Sequence, residues 1–140
     1  MQDAKISVFH NNGVDIEGVC RGFQISCCGV EFSPSSQNVA VGDLASNLWV
    51  CSIKDNIPVA SVNVGMSVRC LVWLNDTTVI VGTLDGLVQS WNYTSNGKPV
   101  LLQHLEGSVI HMRWANHSKA RYYCFKEGNI YKLYIECLYL

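Results

Sequence analysis

The aromatic residues Phe32, Trp73 and Trp114 stand 41 and 41 residues apart, and Ser26, Ser67 and Ser108 keep the same interval. One run is written three times in these units, apolar-x-x-apolar-x-aromatic: Cys27, Val30, Phe32; then Val68, Leu71, Trp73; then Val109, Met112, Trp114. The second half of each unit repeats more loosely. Val41-Gly42 aligns with Val81-Gly82 at a spacing of 40, Asp85-Gly86 with Glu127-Gly128 at 42, and Phe9, Val50 and Trp91 fall at 41 again. The one-residue slippage lies in turns, where insertions are tolerated. A period of this length restricts the chain to a repeat architecture, in which each small unit buries its apolar face against the next.

The units read as strands. Short runs rich in Val, Ile and aromatic residues alternate with Gly, Asn, Asp, Ser and Pro, and no segment sustains a 3.6-residue period. The middle unit predicts strands over 68–74, 78–83, 87–92 and 99–104, with turns at Asn75-Asp76, Asp85-Gly86 and Thr94 to Gly97. Asp85-Gly86 favours the positive φ of a two-residue hairpin turn. The unit before it reads the same way. The third shows three strands, and two strands at the front look like the end of a preceding unit. The expected fold is all-β with almost no helix, divided as 1–20, 21–65, 66–107 and 108–140.

Composition narrows the function. The net charge is -1 and 49% of the residues are apolar, which suits a packed domain and argues against a binder driven by a large positive field. No apolar run is long enough to span a bilayer, and Asp3 and Lys5 interrupt the first nine residues, so neither a membrane partner nor a signal peptide is expected. The expected compartment is cytoplasm or nucleus. The seven cysteines have no zinc-type spacing and are expected to be buried reduced thiols. His10, His104, His111 and His117 are scattered and form no triad order with a nucleophile and a carboxylate. No Gly-Lys-Ser/Thr phosphate loop occurs, and Asp43 and Asp85 are explained by turn chemistry. No enzyme activity, cofactor or metal is expected.

Four short antiparallel strands per unit, the thrice-repeated aromatic run, Phe32-Ser33-Pro34-Ser35-Ser36 and the run from Val81 to Asn92 resemble the WD-repeat family of β-propellers. The resemblance implies about three and a half propeller blades. That is too few for the usual closed ring, so an open partial propeller is expected: a fragment, a short isoform, or a piece completed by another chain. It also implies a hydrogen-bonded set of which Trp91, Thr83 and Asp85 occupy three places, the family's His place being taken by Val64. The family's partner-binding rim would hold Gln24, Met66, Arg69, Leu84, Asp85, Glu106 and Lys126 here. The resemblance therefore suggests a non-catalytic protein–protein interaction scaffold, a subunit or fragment within a larger complex. The alternative is an RNA-binding segment that uses Arg113, Lys119, Arg121, Lys126 and Lys132 with the nearby tyrosines. Trp49, out of phase with Trp91, is a further candidate contact residue.

Overall fold

The computed structural model describes the backbone of residues 4–9, 15–23, 27–55, 57–95, 97–116, 119–126 and 129–136, and side chains over 29–55, 57–95, 97–109 and 111–112. These residues form thirteen strands and no helix. Strands β1 (Ala4–Phe9) and β2 (Asp15–Phe23) make a two-stranded sheet. A four-stranded sheet follows: β3 (Cys27–Phe32), β4 (Asn38–Asp43), β5 (Asn47–Ser52) and β6 (Ile57–Asn63). The next sheet has the same order: β7 (Val68–Trp73), β8 (Thr78–Thr83), β9 (Leu87–Asn92) and β10 (Val100–His104). Strands β11 (Ser108–Asn116), β12 (Lys119–Lys126) and β13 (Asn129–Glu136) form a three-stranded sheet. All pairings are antiparallel between sequence neighbours, as short hairpin loops require.

The middle strands are buried on both faces, which explains why β4 and β8 read as unbroken apolar runs rather than alternating ones. One core lies between the two four-stranded sheets. Ala40, Leu48 and Val50 come to it from one side, and Val68, Leu71, Trp73, Val79, Val81 and Trp91 from the other. A second joins Ile80 and Val88 to Val109 and Met112 of the next sheet. The units are thus fused through their faces.

The repeat in the sequence is a repeat of contacts. Val68 at the start of β7 fills the space over Gly42, where a Cβ would lie 2.8 Å from the Val68 Cβ. Forty residues on, Val109 at the start of β11 covers Gly82, where a Cβ would lie 2.5 Å from the Val109 Cγ1. Both glycines stand where only a hydrogen fits, so sheet approaches sheet at the same place twice.

Two expectations need correction. The Asp85-Gly86 hairpin has three loop residues, because Gly86 alone is at positive φ (93°) while Leu84 and Asp85 form an ordinary turn closed by the Gly86 N–H on the Thr83 carbonyl (3.2 Å). The loop 44–46 has the same length, with Ser46 at φ 75°. The cysteines are not all thiols either. Cys51 is disulfide-bonded, its partner lying outside the described side chains, and Cys70 is free. Burial pushes the Cys70 thiol up to about 12, against smaller lowering effects from the Gly82 backbone and the Arg69 charge. Alkylation of Cys70 in the folded chain is therefore expected to keep rising through pH 10 and 11, where the unfolded chain's thiol has levelled off near its ordinary pKa. At pH 8 it should be at least about a hundredfold slower than in the unfolded chain. Peptide-level mass spectrometry after timed iodoacetamide exposure reads both.

Candidate functional site

The loops joining second to third strands, and those joining one sheet to the next, lie at one end of the stack and are tied together by backbone chemistry. The Ser67 hydroxyl donates to the Leu44 carbonyl (2.6 Å). The Leu84 N–H donates to the Ser67 carbonyl (3.0 Å), and the Leu105 N–H to the Gly86 carbonyl (2.8 Å). One serine in the connection between sheets thus holds the equivalent turns of both. Val64, in the same connection, donates its N–H to the Ser46 carbonyl (2.8 Å) and accepts from the buried Gln89 Nε2 (2.9 Å).

Each turn is also fixed from within. The Asp43 carboxylate accepts the N–H groups of Ala45 and Asn47 (2.9 Å each) and the Asn47 side-chain amide (3.2 Å). In the next sheet the equivalent place is Thr83, whose hydroxyl donates to Asp85 (2.6 Å) and accepts the Leu87 N–H (3.0 Å). A charged oxygen in one unit and a hydroxyl-carboxylate pair in the other do one job, satisfying the turn's buried donors.

On this rigid frame two leucines face solvent at equivalent positions, Leu44 at 45% exposure and Leu84 at 47%. Asp85 is exposed next to Leu84 in sequence, Arg69 is exposed two residues after Ser67, and Met66 is half-buried. The result is a rim with apolar contact points among charges and little freedom to lose on binding.

The sequence-predicted residues distribute as follows. Met66, Arg69, Leu84 and Asp85 sit on or next to the tied loops, and Glu106 is exposed in the connection after β10. Gln24 and the side chain of Lys126 lie outside the described residues, as do the side chains of Arg113, Lys119, Arg121 and Lys132. Thr83 and Asp85 are brought together, but among the described residues no hydrogen bond joins Trp91 to them. Trp91 pairs across the sheet with Val79, four rungs from the turn, and its ring meets Tyr93 edge-on at 6.5 Å. Tyr93 also packs against Trp73 (6.0 Å, 86°) and accepts a hydrogen bond from Asn38 Nδ2 of the preceding sheet (3.0 Å). Trp49 is half-buried on β5. Leu44 and Ser67 escaped the sequence reading as site residues, though the 40-residue interval from Leu44 to Leu84 was there to be seen.

The opposite end of the stack differs. The Ser35 N–H donates to Asp76 across the two sheets (2.9 Å), and a pocket of about 500 Å³ lies among Ser36, Gln37, Asn38, Ser52, Lys54 and Asp55. It is polar and open, and within it the Ser52 hydroxyl donates to the Asp55 carboxylate (3.4 Å) and accepts the Asp55 N–H (3.2 Å), a local turn contact. Among the described residues no group of three or more His, Cys, Asp or Glu is placed to hold a metal ion.

Comparison with solved structures decides what this stack is. The C-terminal WD40 domain of Sif2 superposes with a TM-score of 0.74 over 91% of this chain, at 10% sequence identity. The computationally designed Ika4 protein superposes with a TM-score of 0.70 over 94% of this chain, at 18% identity, and 79% of its own chain is matched. The fold is that of a WD-repeat β-propeller. It is an open partial propeller, which among the described residues has two complete blades flanked by a three-stranded and a two-stranded one. The chain spans 36% of the Sif2 chain's length. No family model matches the sequence, and no curated protein does.

Proposed function

We propose that this partial propeller is a non-catalytic protein–protein interaction scaffold that serves within a larger complex and binds a protein partner on the Leu44–Ser67–Leu84 rim. The observation that carries the reading is the shared tether: Ser67 fixes both turns, so the exposed Leu44 and Leu84 are presented as one preorganised surface. Asp85, next to Leu84, and Arg69, two residues from Ser67, supply charge to the rim. The structural likeness to a WD40 domain supports the scaffold reading at the level of fold.

The test is affinity capture from cell extract with four baits: the natural chain, Leu44→Asp/Leu84→Asp, Arg69→Ala, and Lys54→Glu at the opposite end as control. Co-purifying proteins are expected to be lost with the leucine pair, reduced with Arg69→Ala and retained with Lys54→Glu. Thermal stability should change little in the three variants, since exposed substitutions rarely exceed about 0.5 kcal/mol each. Equal capture by the natural and Leu44→Asp/Leu84→Asp chains would remove the rim reading. Recovery of nucleic acid, with retention falling steeply as salt rises, would favour an RNA-binding segment instead.

A further inference from the structure

Asn-x-Ser/Thr, the acceptor pattern for N-linked sugar, occurs in the chain at Asn75, Asn92 and Asn116. The first two fall in described turns of the second complete blade, and both asparagines are exposed. The side chain of Asn116 lies outside the described residues. The Asn75 Oδ1 accepts the Thr77 N–H and hydroxyl (2.9 Å each) and the Thr78 N–H (3.0 Å). The Asn92 Oδ1 accepts the Thr94 N–H (3.0 Å) and hydroxyl (2.5 Å). Each carboxamide is held by its oxygen, while its Nδ2 makes no hydrogen bond among the described residues. Asn38 and Asn47, which begin no such pattern, differ: their Nδ2 groups donate to Tyr93 (3.0 Å) and Asp43 (3.2 Å). A group attached at the Nδ2 of Asn75 or Asn92 therefore displaces no protein contact.

Both sites stand at the end of the stack away from the rim. Asn75 lies in the turn from β7 to β8, and Asn92 closes β9, where it pairs with Thr78. The Tyr93 N–H donates to the Thr77 carbonyl (3.1 Å) and ties the two turns together. Side-chain bonds of this kind reach only two or three residues and need no tertiary partner, so the same turns are open to a chain still folding. A second, independent observation concerns the compartment. Cys51 is disulfide-bonded and fully buried. Disulfides persist in the secretory lumen and outside the cell and are rare in the cytosol. N-linked sugar belongs to the same secreted setting. The pairing at Cys51 thus weighs against the cytoplasm or nucleus expected from the sequence.

We infer that Asn75 and Asn92 are N-glycosylation sites, in a chain that folds and works in an oxidising luminal or extracellular compartment. The donor is an oligosaccharide carried on a lipid diphosphate. The Asn Nδ2 forms a bond to the anomeric carbon of the sugar. The bond from that carbon to the diphosphate oxygen breaks, and the lipid diphosphate leaves with the electron pair. One Nδ2 proton passes to a base of the transferring enzyme, and nothing is oxidised or reduced. The two sugars cover the far end of the second complete blade and leave Leu44, Ser67 and Leu84 bare. The inference goes beyond the scaffold reading and does not rest on it.

The test uses the full chain, captured with an antibody from the cells that make it and alkylated in denaturant before any reduction. It is then treated with peptide N-glycosidase in heavy-oxygen water. That enzyme converts each sugar-bearing Asn to Asp and leaves the heavy oxygen as a mark that peptide mass spectrometry reads. Positions 75 and 92 are expected to carry the mark, and Cys51 to take up the alkylating agent only after reduction. Among full-chain variants expressed in the same cells, Thr77→Ala should lose the mark at 75 alone and Thr94→Ala at 92 alone. Thr77→Ser and Thr94→Ser, which keep the hydroxyl, should keep both marks. Asn75 and Asn92 both unmarked, or sugar at Asn116 alone, overturns the inference. A mark at one of the two overturns it for the other. Cys51 alkylated without reduction overturns the compartment. Leu44→Asp/Leu84→Asp should leave both marks in place, so this result and that of the rim stand apart.

Discussion

Trp73→Ala is expected to destabilise the chain by about 3–5 kcal/mol, the range for truncating a buried tryptophan. Trp73 closes the inter-blade core at the end away from the rim. Its indole N–H satisfies the Glu31 carbonyl across the blade boundary, and its ring meets the edge of Tyr93. Alanine would leave a cavity between two sheets that are each held by their own ladders and cannot collapse into it. Trp73→Phe separates the two contributions: it keeps most of the ring volume but removes the donor, and should cost about 1–3 kcal/mol. Urea denaturation followed by circular dichroism measures both. Should the alanine variant lose no more than the phenylalanine variant, the ring would not be filling the boundary as described.

Gly42→Val should cost about 2–4 kcal/mol by overpacking, with no polar group involved. The Val68 side chain already occupies the space that any side chain at position 42 must enter, and Val68 begins a strand held in register by β8. Neither partner can move without shifting a sheet. The sign of the coupling is therefore predictable. Val68→Ala alone should destabilise by about 1–3 kcal/mol through lost burial, but combined with Gly42→Ala it should recover part of the loss, giving a favourable interaction energy in a double-mutant cycle. Strict additivity of the two substitutions would show that positions 42 and 68 do not meet. The same argument applied to Gly82 and Val109 gives a second, independent cycle.

These two sites also show how far the residues alone could be read. The 41-residue interval marks Trp73 as a core position and Val68 as its repeat partner, because a stack of similar sheets must use the same positions at each boundary. It does not show that Phe32, at the matching place, is half exposed. That depends on whether a neighbour covers it, and β2 packs against β5 and β6 instead. The set of Trp91, Thr83 and Asp85 divides in the same way. Thr83 and Asp85 are two residues apart and form a turn from local chemistry, whereas Trp91 lies four rungs along the sheet and joins an aromatic group with Trp73 and Tyr93. The rim shows the division again. Leu84 was visible from its turn, but its link to Leu44 runs through Ser67, in a connection between blades, and no local pattern announces a hydrogen bond of that reach.

Period, strand order and hairpin pairing follow from the amino-acid pattern, because alternation, turn residues and short loops act over a few neighbours and leave antiparallel meanders as the accessible arrangement. Which repeated faces are covered, which turns share a tether and which aromatic rings meet were settled only when blade packed on blade. Those contacts join residues about forty positions apart, and their free energy depends on the shape of the neighbouring surface rather than on any residue's own preference.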